Sequence, residues 1–207
     1  MTLQHSHSVG FHLEDCPACF WEDRLNKPLL TTFTGKRINP MDLRPEDIDI
    51  RDIAHHLACI NRWCGALKQP ISVAQHCVHV SWLLQGTSFE LDGLLHDASE
   101  TYLGDMTKWV KRHPSMKFYR EAEAKATYVI AEVFGIVAEM PEEVERADRM
   151  MISIEGSFGV KDWEPLPGFP IPTDRDLITC NLKESWHWSI AEARFLNFFE
   201  KYSESRY

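Results

Sequence analysis

At 207 residues the chain is one domain's worth of sequence, long enough to bury a full core without metal or disulfide staples. Its formal charge of -9 excludes a broad nucleic-acid surface, which needs cationic faces, and no run approaches the roughly 18 apolar residues of a membrane-spanning helix. The balance of 44% hydrophobic and 26% charged residues is that of a soluble globular protein. Ten histidines are many for this length and are the first pointer to metal chemistry. The N-terminus is polar, with no basic flank before an apolar run, so no secretory leader is expected. The six cysteines are therefore read as free thiols in a reducing cytoplasm.

Residues 1–29 read as an N-terminal arm ahead of a domain covering 30–207. The arm holds Cys16-Pro17-Ala18-Cys19, near His5, His7 and His12. That spacing admits a zinc clip, but no second ligand pair completes it, and a loosely ordered arm or an oligomer contact is the other reading. Leu30 to Thr34 reads as a short strand turning at Gly35-Lys36. Pro45-Glu46-Asp47 opens a helix expected to run to Gly65, with Ile50, Ile53, Leu57, Ile60 and Cys64 as its apolar stripe and Arg62-Trp63 near its end.

Ser72 caps the next helix, in which Val73, Cys77, Val80 and Leu84 face a core and His76 projects from the edge of that face. A further helix from about Phe89 carries Leu94-Leu95-His96-Asp97-Ala98-Ser99-Glu100, ending at Gly104-Asp105. On a helix His96 and Asp97 lie about 100° apart, so both reach one ion beside it, and Glu100 falls on the same side. Gly104 permits a C-cap that swings Asp105 back toward them. Met106 to Arg112 is a short basic segment. Pro114 starts a long helix to Gly135, with Phe118, Ala122, Ala126, Val129 and Val133 inward. Pro141 opens another, where Val144, Asp148, Met151, Glu155 and Phe158 share a stripe. Carboxylates on an apolar stripe are costly unless paired or metal-bound, which singles out Asp148 and Glu155. Residues 159–181 are Pro-rich and read as a surface wrap; a last helix, about Leu182 to Tyr202, turns Trp186, Ile190, Ala193 and Phe199 inward. The whole reads as an all-α single domain of six or seven helices.

His76, His96, Asp97 and Asp148 fall on inward faces of three separate helices. Mixed nitrogen and oxygen ligation of this kind suits Zn, Mn, Co, Ni or Fe without choosing among them. The order His … His-Asp … Asp is that of the HD-domain metal-dependent phosphohydrolases. With Asp49 to His55, Arg62-Trp63, Ser72 to His76, Leu95 to Glu100 and Gly104-Asp105, the stretch from about Phe33 to Glu155 resembles one branch of that superfamily. The branch holds bacterial 5′-deoxynucleotidases and small phage HD proteins, including dATP triphosphohydrolases.

The resemblance implies an HD-domain fold and one divalent transition metal (Co, Mn, Zn, Ni or Fe) on His76, His96, Asp97 and Asp148, with a second Mg or Mn where the substrate is a triphosphate. It implies Glu100 and Asp105 as catalytic carboxylates, and Arg62, Trp63 and Lys111 as substrate-binding residues; Lys108, in the loop that departs from the family, adds a further candidate cation for substrate, with a solvated basic segment as the other reading of Lys108, Lys111 and Arg112. The implied partner is a small-molecule deoxynucleotide, in a homo-oligomer, in the cytoplasm of a cell or of a phage's host. The implied reaction is water attack at the α-phosphorus, releasing triphosphate from a dNTP such as dATP; release of phosphate from a dNMP is the alternative. One departure stands out: the family commonly has prolines between the residues matching Asp105 and Lys111, where this chain reads Met106-Thr107-Lys108-Trp109-Val110. Hydrolysis of a cyclic or signalling nucleotide, and a non-enzymatic nucleotide-binding role, are the competing functions. Trp63 reads equally as core, Glu155 as a hydrogen-bond partner behind the ligands or a core acid, and His55, His56, His79, His113 and His187 as surface or supporting residues.

Overall fold

The first described residues form a small antiparallel ladder. In this computed structural model, which describes residues 30–204, β1 (Leu30–Thr31) pairs with β2 (Arg37–Ile38) in the register Leu30 to Ile38 and Thr31 to Arg37. The N-terminal arm, with Cys16 and Cys19, lies outside the described residues.

The helix expected from Pro45 to Gly65 is three pieces. A single 3-10 turn at Pro45–Asp47 ends on extended Ile48, and Asp49 then restarts the chain as N-cap of α1 (Ile50–Cys59), accepting from the Arg51 amide. Ile60 is extended again, because the chain here pairs with residues 71–73 rather than with itself. The Arg62 amide donates to the Ile71 carbonyl and the Val73 amide to the Ile60 carbonyl, both at 2.9 Å. Arg62–Gly65 is a separate 3-10 turn, with Trp63 (φ 58°) and Cys64 (φ 49°) in the left-handed region.

α2 (Val73–Leu83) begins where expected, its Ser72 cap accepting from the Gln75 amide at 3.1 Å. Every residue from Val73 to Ser81 is buried. A helix with no solvent face is the central element of its fold, and α2 packs against α1, α3, α7, α8 and α9. The His-Asp helix is broken: α3 (Glu90–Leu95) and α4 (Glu100–Leu103) flank a turn at 96–99. There the amides of Ala98, Glu100 and Thr101 donate to carbonyls three residues back, tightening the coil as a 3-10 helix does. α3 meets α2 closely, since a Cβ on Gly93 would lie 2.5 Å from Leu84 Cδ1. Gly104 caps α4 with φ 79°, its amide on the Glu100 carbonyl.

α5 (Lys108–Lys111) is one turn long. α6 (Lys117–Phe134) follows Pro114 and stops at left-handed Gly135, as its sequence dictates. Its buried face is Tyr119, Ala122, Ala126, Val129 and Ile130, one position round from the expected stripe, which leaves Phe118 and Val133 exposed. α7 (Glu142–Gly159) buries Val144, Met151, Ile154 and Glu155. The expected surface wrap contains a short helix, α8 (Asp174–Cys180), closed at its start by reciprocal bonds between Thr173 and Asp176. α9 (Trp188–Glu204) starts six residues later than expected and buries Ala191, Phe195 and Tyr202; Ile190 and Ala193 are exposed.

The result is all-α, with nine α-helical segments among the described residues, more than the six or seven expected because one helix is split and two short ones carry too few residues for a periodic signal. None of these helices is long and apolar enough to cross a membrane. The core joins α1, α2, α3, α6 and α9 through residues such as Ile53, Leu57, Leu94, Ile130 and Phe195. Each such side chain contributes roughly 1.5–3 kcal/mol relative to exposure. A second cluster between α2, α7 and α8 (Val80, Val144, Met151, Ile154, Cys180) fixes the helix that bears Asp148.

Candidate metal centre

The centre forms where α2, the 96–99 turn and α7 meet. His76 Nε2 and His96 Nε2 face each other at 3.3 Å. Asp148 Oδ1 lies 3.1 Å from His76 Nε2 and 3.8 Å from His96 Nε2; Asp97 Oδ2 lies 3.2 Å from His96 Nε2 and 3.8 Å from His76 Nε2. Ligand atoms each 2.0–2.2 Å from one ion are about 3–3.5 Å apart, so the spacing matches a shared cation.

The outer nitrogens decide what the inner ones offer. His96 Nδ1 is 2.8 Å from the Gly93 carbonyl, which only accepts, so Nδ1 carries a hydrogen and donates. His76 Nδ1 donates in the same way to Glu155 Oε1 at 2.8 Å. Each ring turns Nε2 toward the other ring and toward two carboxylate oxygens. Four electron pairs aimed at one point repel unless something positive lies between them. A proton is one answer: burial disfavours a charge on His96, but Asp97 and Asp148 overcome this and raise its pKa well above the ordinary value. A divalent cation is the other, and it competes with that proton.

Glu155 is the hub behind the ligands. Fully buried, it accepts from His76, from Arg62 Nε at 3.0 Å and from Trp63 Nε1 at 2.8 Å. Burial pushes its pKa up, but Arg62 and His76 more than offset that and hold it at about 2. Bonds to one carboxylate also account for the left-handed turn: with φ 58° at Trp63, the guanidinium and the indole reach the same oxygen. Arg62 extends NH1 to Asp97 Oδ2 at 3.4 Å.

Glu100 and Asp105 lie within electrostatic reach of Asp97 and Arg62. Glu100 is 5% exposed, with Oε2 unpartnered and Oε1 4.0 Å from Lys111 Nζ. Burial, then the charges of Asp97 and Asp105, push its pKa up to about 9. Burial also raises Asp105, Arg62 opposing and Asp97 adding to the rise. Lys111 pairs directly with Glu123 on α6 and lies 5.9 Å above the Tyr119 ring. Lys108, by contrast, is exposed and makes no ion pair among the described residues.

The other described histidines bond to neighbouring side chains or backbone. His55 bonds Glu192, His56 bonds the Thr101 carbonyl, and His113 and His187 bond Ser115 and Ser189 two residues on. His79, one turn from His76, donates to the Cys180 carbonyl at 2.7 Å. The Gly93 carbonyl and Glu123 had no sequence signal to mark them. Glu155 did, as a carboxylate on an apolar stripe.

No family model matches the chain. It is 36% identical over 145 residues to the uncharacterized protein YfdR of Escherichia coli, a match covering 68% of this chain and 80% of that protein. The chain belongs to the YfdR family. An uncharacterized protein of Rhodobacter capsulatus is 38% identical over 122 residues, covering 55% of this chain and 62% of its own length. Both relatives are uncharacterized, so membership of the YfdR family brings no activity with it, and the chemistry of this YfdR-family chain is argued from its own side chains.

Proposed function

We propose that this chain is a divalent-cation-dependent phosphohydrolase acting at the α-phosphorus ester of a deoxynucleotide. The observation that carries this is the convergence of four potential ligand atoms, two imidazole nitrogens and two carboxylate oxygens, with a buried carboxyl, Glu100, coupled to Asp97. A purely structural ion needs no buried carboxyl such as Glu100 beyond its own ligands. The deoxynucleotide rests on the motif resemblance to the HD-domain phosphohydrolases.

When bound by His76, His96, Asp97 and Asp148, a divalent cation supplies phosphoryl charge neutralisation and lowers a water's pKa from 15.7 toward about 7. The protein supplies the rest. Arg62 neutralises a phosphoryl oxygen from the Asp97 side. With a pKa of about 9 Glu100 is protonated at neutral pH while the ligand set is empty; a cation there would lower that pKa, and the ionised Glu100 takes the proton of the attacking water and returns it to the departing 5′-oxygen. Asp105 holds the sugar hydroxyl. Trp63, its ring fixed by the Glu155 bond, packs on the sugar, where a 2′-hydroxyl is excluded by contact.

The charge around Arg62 and Lys111 favours a monophosphate. Arg62 and Lys111 are both already paired with carboxylates, and Lys108 is exposed. The triphosphate reading keeps the support of the basic run Lys108, Lys111 and Arg112 on the adjoining segment. The test is turnover of dAMP, AMP, dATP and ATP with Mn²⁺ or Co²⁺, with and without EDTA, products sorted by chromatography. Orthophosphate from dAMP in preference to AMP is the expected outcome, triphosphate from dATP is the second, and no product from any of the four overturns the proposal.

A further inference from the structure

We infer that Glu123 is a positioning residue that sets phosphate-chain length, neutralising Lys111 and thereby limiting the site to a short phosphate. The inference rests on the phosphohydrolase reading and goes beyond it to a residue outside the recognised motifs.

The segment carrying Asp105 and Lys111 has little structure of its own, because α5 is one turn and a turn in isolation is unstable. The first turns of α6 hold it. Tyr119 Oη donates to the Gly104 carbonyl at 3.0 Å, and Arg120 NH1 donates to the Lys111 carbonyl and, at 3.0 Å, to the His113 carbonyl. Glu123, three and four residues further along the same face, takes the Lys111 ammonium itself. The backbone and the side chain of Lys111 are thus both fixed by α6. Its other neighbours are Glu100 at 4.0 Å and the Tyr119 ring. Arg62 is committed to Glu155 and Asp97. Arg62 and Lys111 therefore arrive with their charges already matched, so a phosphate monoester is accommodated. A longer polyphosphate brings further negative charge and needs Lys111 released from Glu123.

Glu123→Gln keeps an acceptor for Lys111 and removes the opposing charge. Titration calorimetry of the full chain at fixed free Mn²⁺, with orthophosphate and then tripolyphosphate, reads the effect. Glu123→Gln is expected to tighten tripolyphosphate about tenfold and orthophosphate by less than about threefold. Glu123→Asp, which keeps the charge, is expected to retain the wild-type ratio of the two affinities. A loss of packing alone changes both ligands together and leaves that ratio unmoved. An unmoved ratio in Glu123→Gln, or an equal shift in Glu123→Asp, overturns the role of Glu123 while leaving the phosphohydrolase reading intact. Wild-type protein that binds Mn²⁺ but neither phosphate overturns both. If Glu123→Gln does not fold, Glu123→Ala is read in the same assay, and the same ratio decides.

Discussion

His76 and His79 stand one turn apart on α2, both fully buried, and they do opposite things. His76 donates from Nδ1 to a carboxylate and turns Nε2 toward three other ligand atoms. His79 donates from Nδ1 to the Cys180 carbonyl, leaves Nε2 unpartnered and packs its ring between Trp82 and Trp186. Burial lowers the pKa of His79 to about 4, keeping it neutral. The helix and the depth are shared, so the difference lies in what faces each ring. Carboxylates from α7 and from the 96–99 turn make a ligand of one, and an aromatic wall makes a packing residue of the other.

Four variants break or sharpen this contrast. The largest effect is expected from His76→Ala, which removes a ligand and is predicted to abolish both Mn²⁺ binding by calorimetry and phosphate release. Glu100→Gln should lower kcat by about 10²–10⁴-fold while leaving Mn²⁺ affinity near wild type. The same variant carries a stability signature in metal-free protein. The folded-state pKa of about 9 lies above the ordinary 4.5, so stability is full below 4.5 and is lost as pH rises toward 9. Glu100→Gln is therefore predicted to raise Tm by a few degrees at pH 9 and to change it little at pH 4, measured by differential scanning fluorimetry in EDTA.

Glu155→Gln leaves every direct ligand in place but weakens the acceptor that orients His76. A loss of about 10–100-fold in metal affinity is expected, and a wild-type value would show that Glu155 is only a core acid. The smallest effect belongs to His79→Leu, predicted to leave Mn²⁺ affinity unchanged. The folded-state pKa of His79 lies below its ordinary 6.5, so its stability contribution is full above 6.5 and is lost as pH falls toward 4. His79→Leu should accordingly flatten the acid limb of unfolding free energy between those values, by up to about 3 kcal/mol at its lower end, measured by urea denaturation across that pH range.

That His76, His96, Asp97 and Asp148 come together was legible in the sequence because their placement is costly elsewhere: an acid on an apolar stripe, as at Asp148, is unfavourable unless a cation or a donor compensates its charge. Its supports were less visible. Nothing in residues 60–65 announces that the chain leaves the helix to pair with 71–73, because those bonds join segments separated along the chain. The rotated faces of α6 and α9 have a plainer cause. Phe118, Val133 and Ile190 satisfy helical spacing as well as the residues that are buried, and contact with neighbouring helices chooses between adjacent stripes. Glu123 is one of several charged residues on α6, and only the position of Lys111 distinguishes it.

α2 has no polar side to float on water, and that governs how the ion-holding geometry comes into being. A peptide spanning Ser72 to Asp105 would carry three of the four ligands, yet its hydrophobic rod has nothing to lean against until α7, α8 and α9, all later in the chain, have gathered round it. The convergence of the four side chains thus depends on helices later in the chain rather than on its most recognisable segment alone.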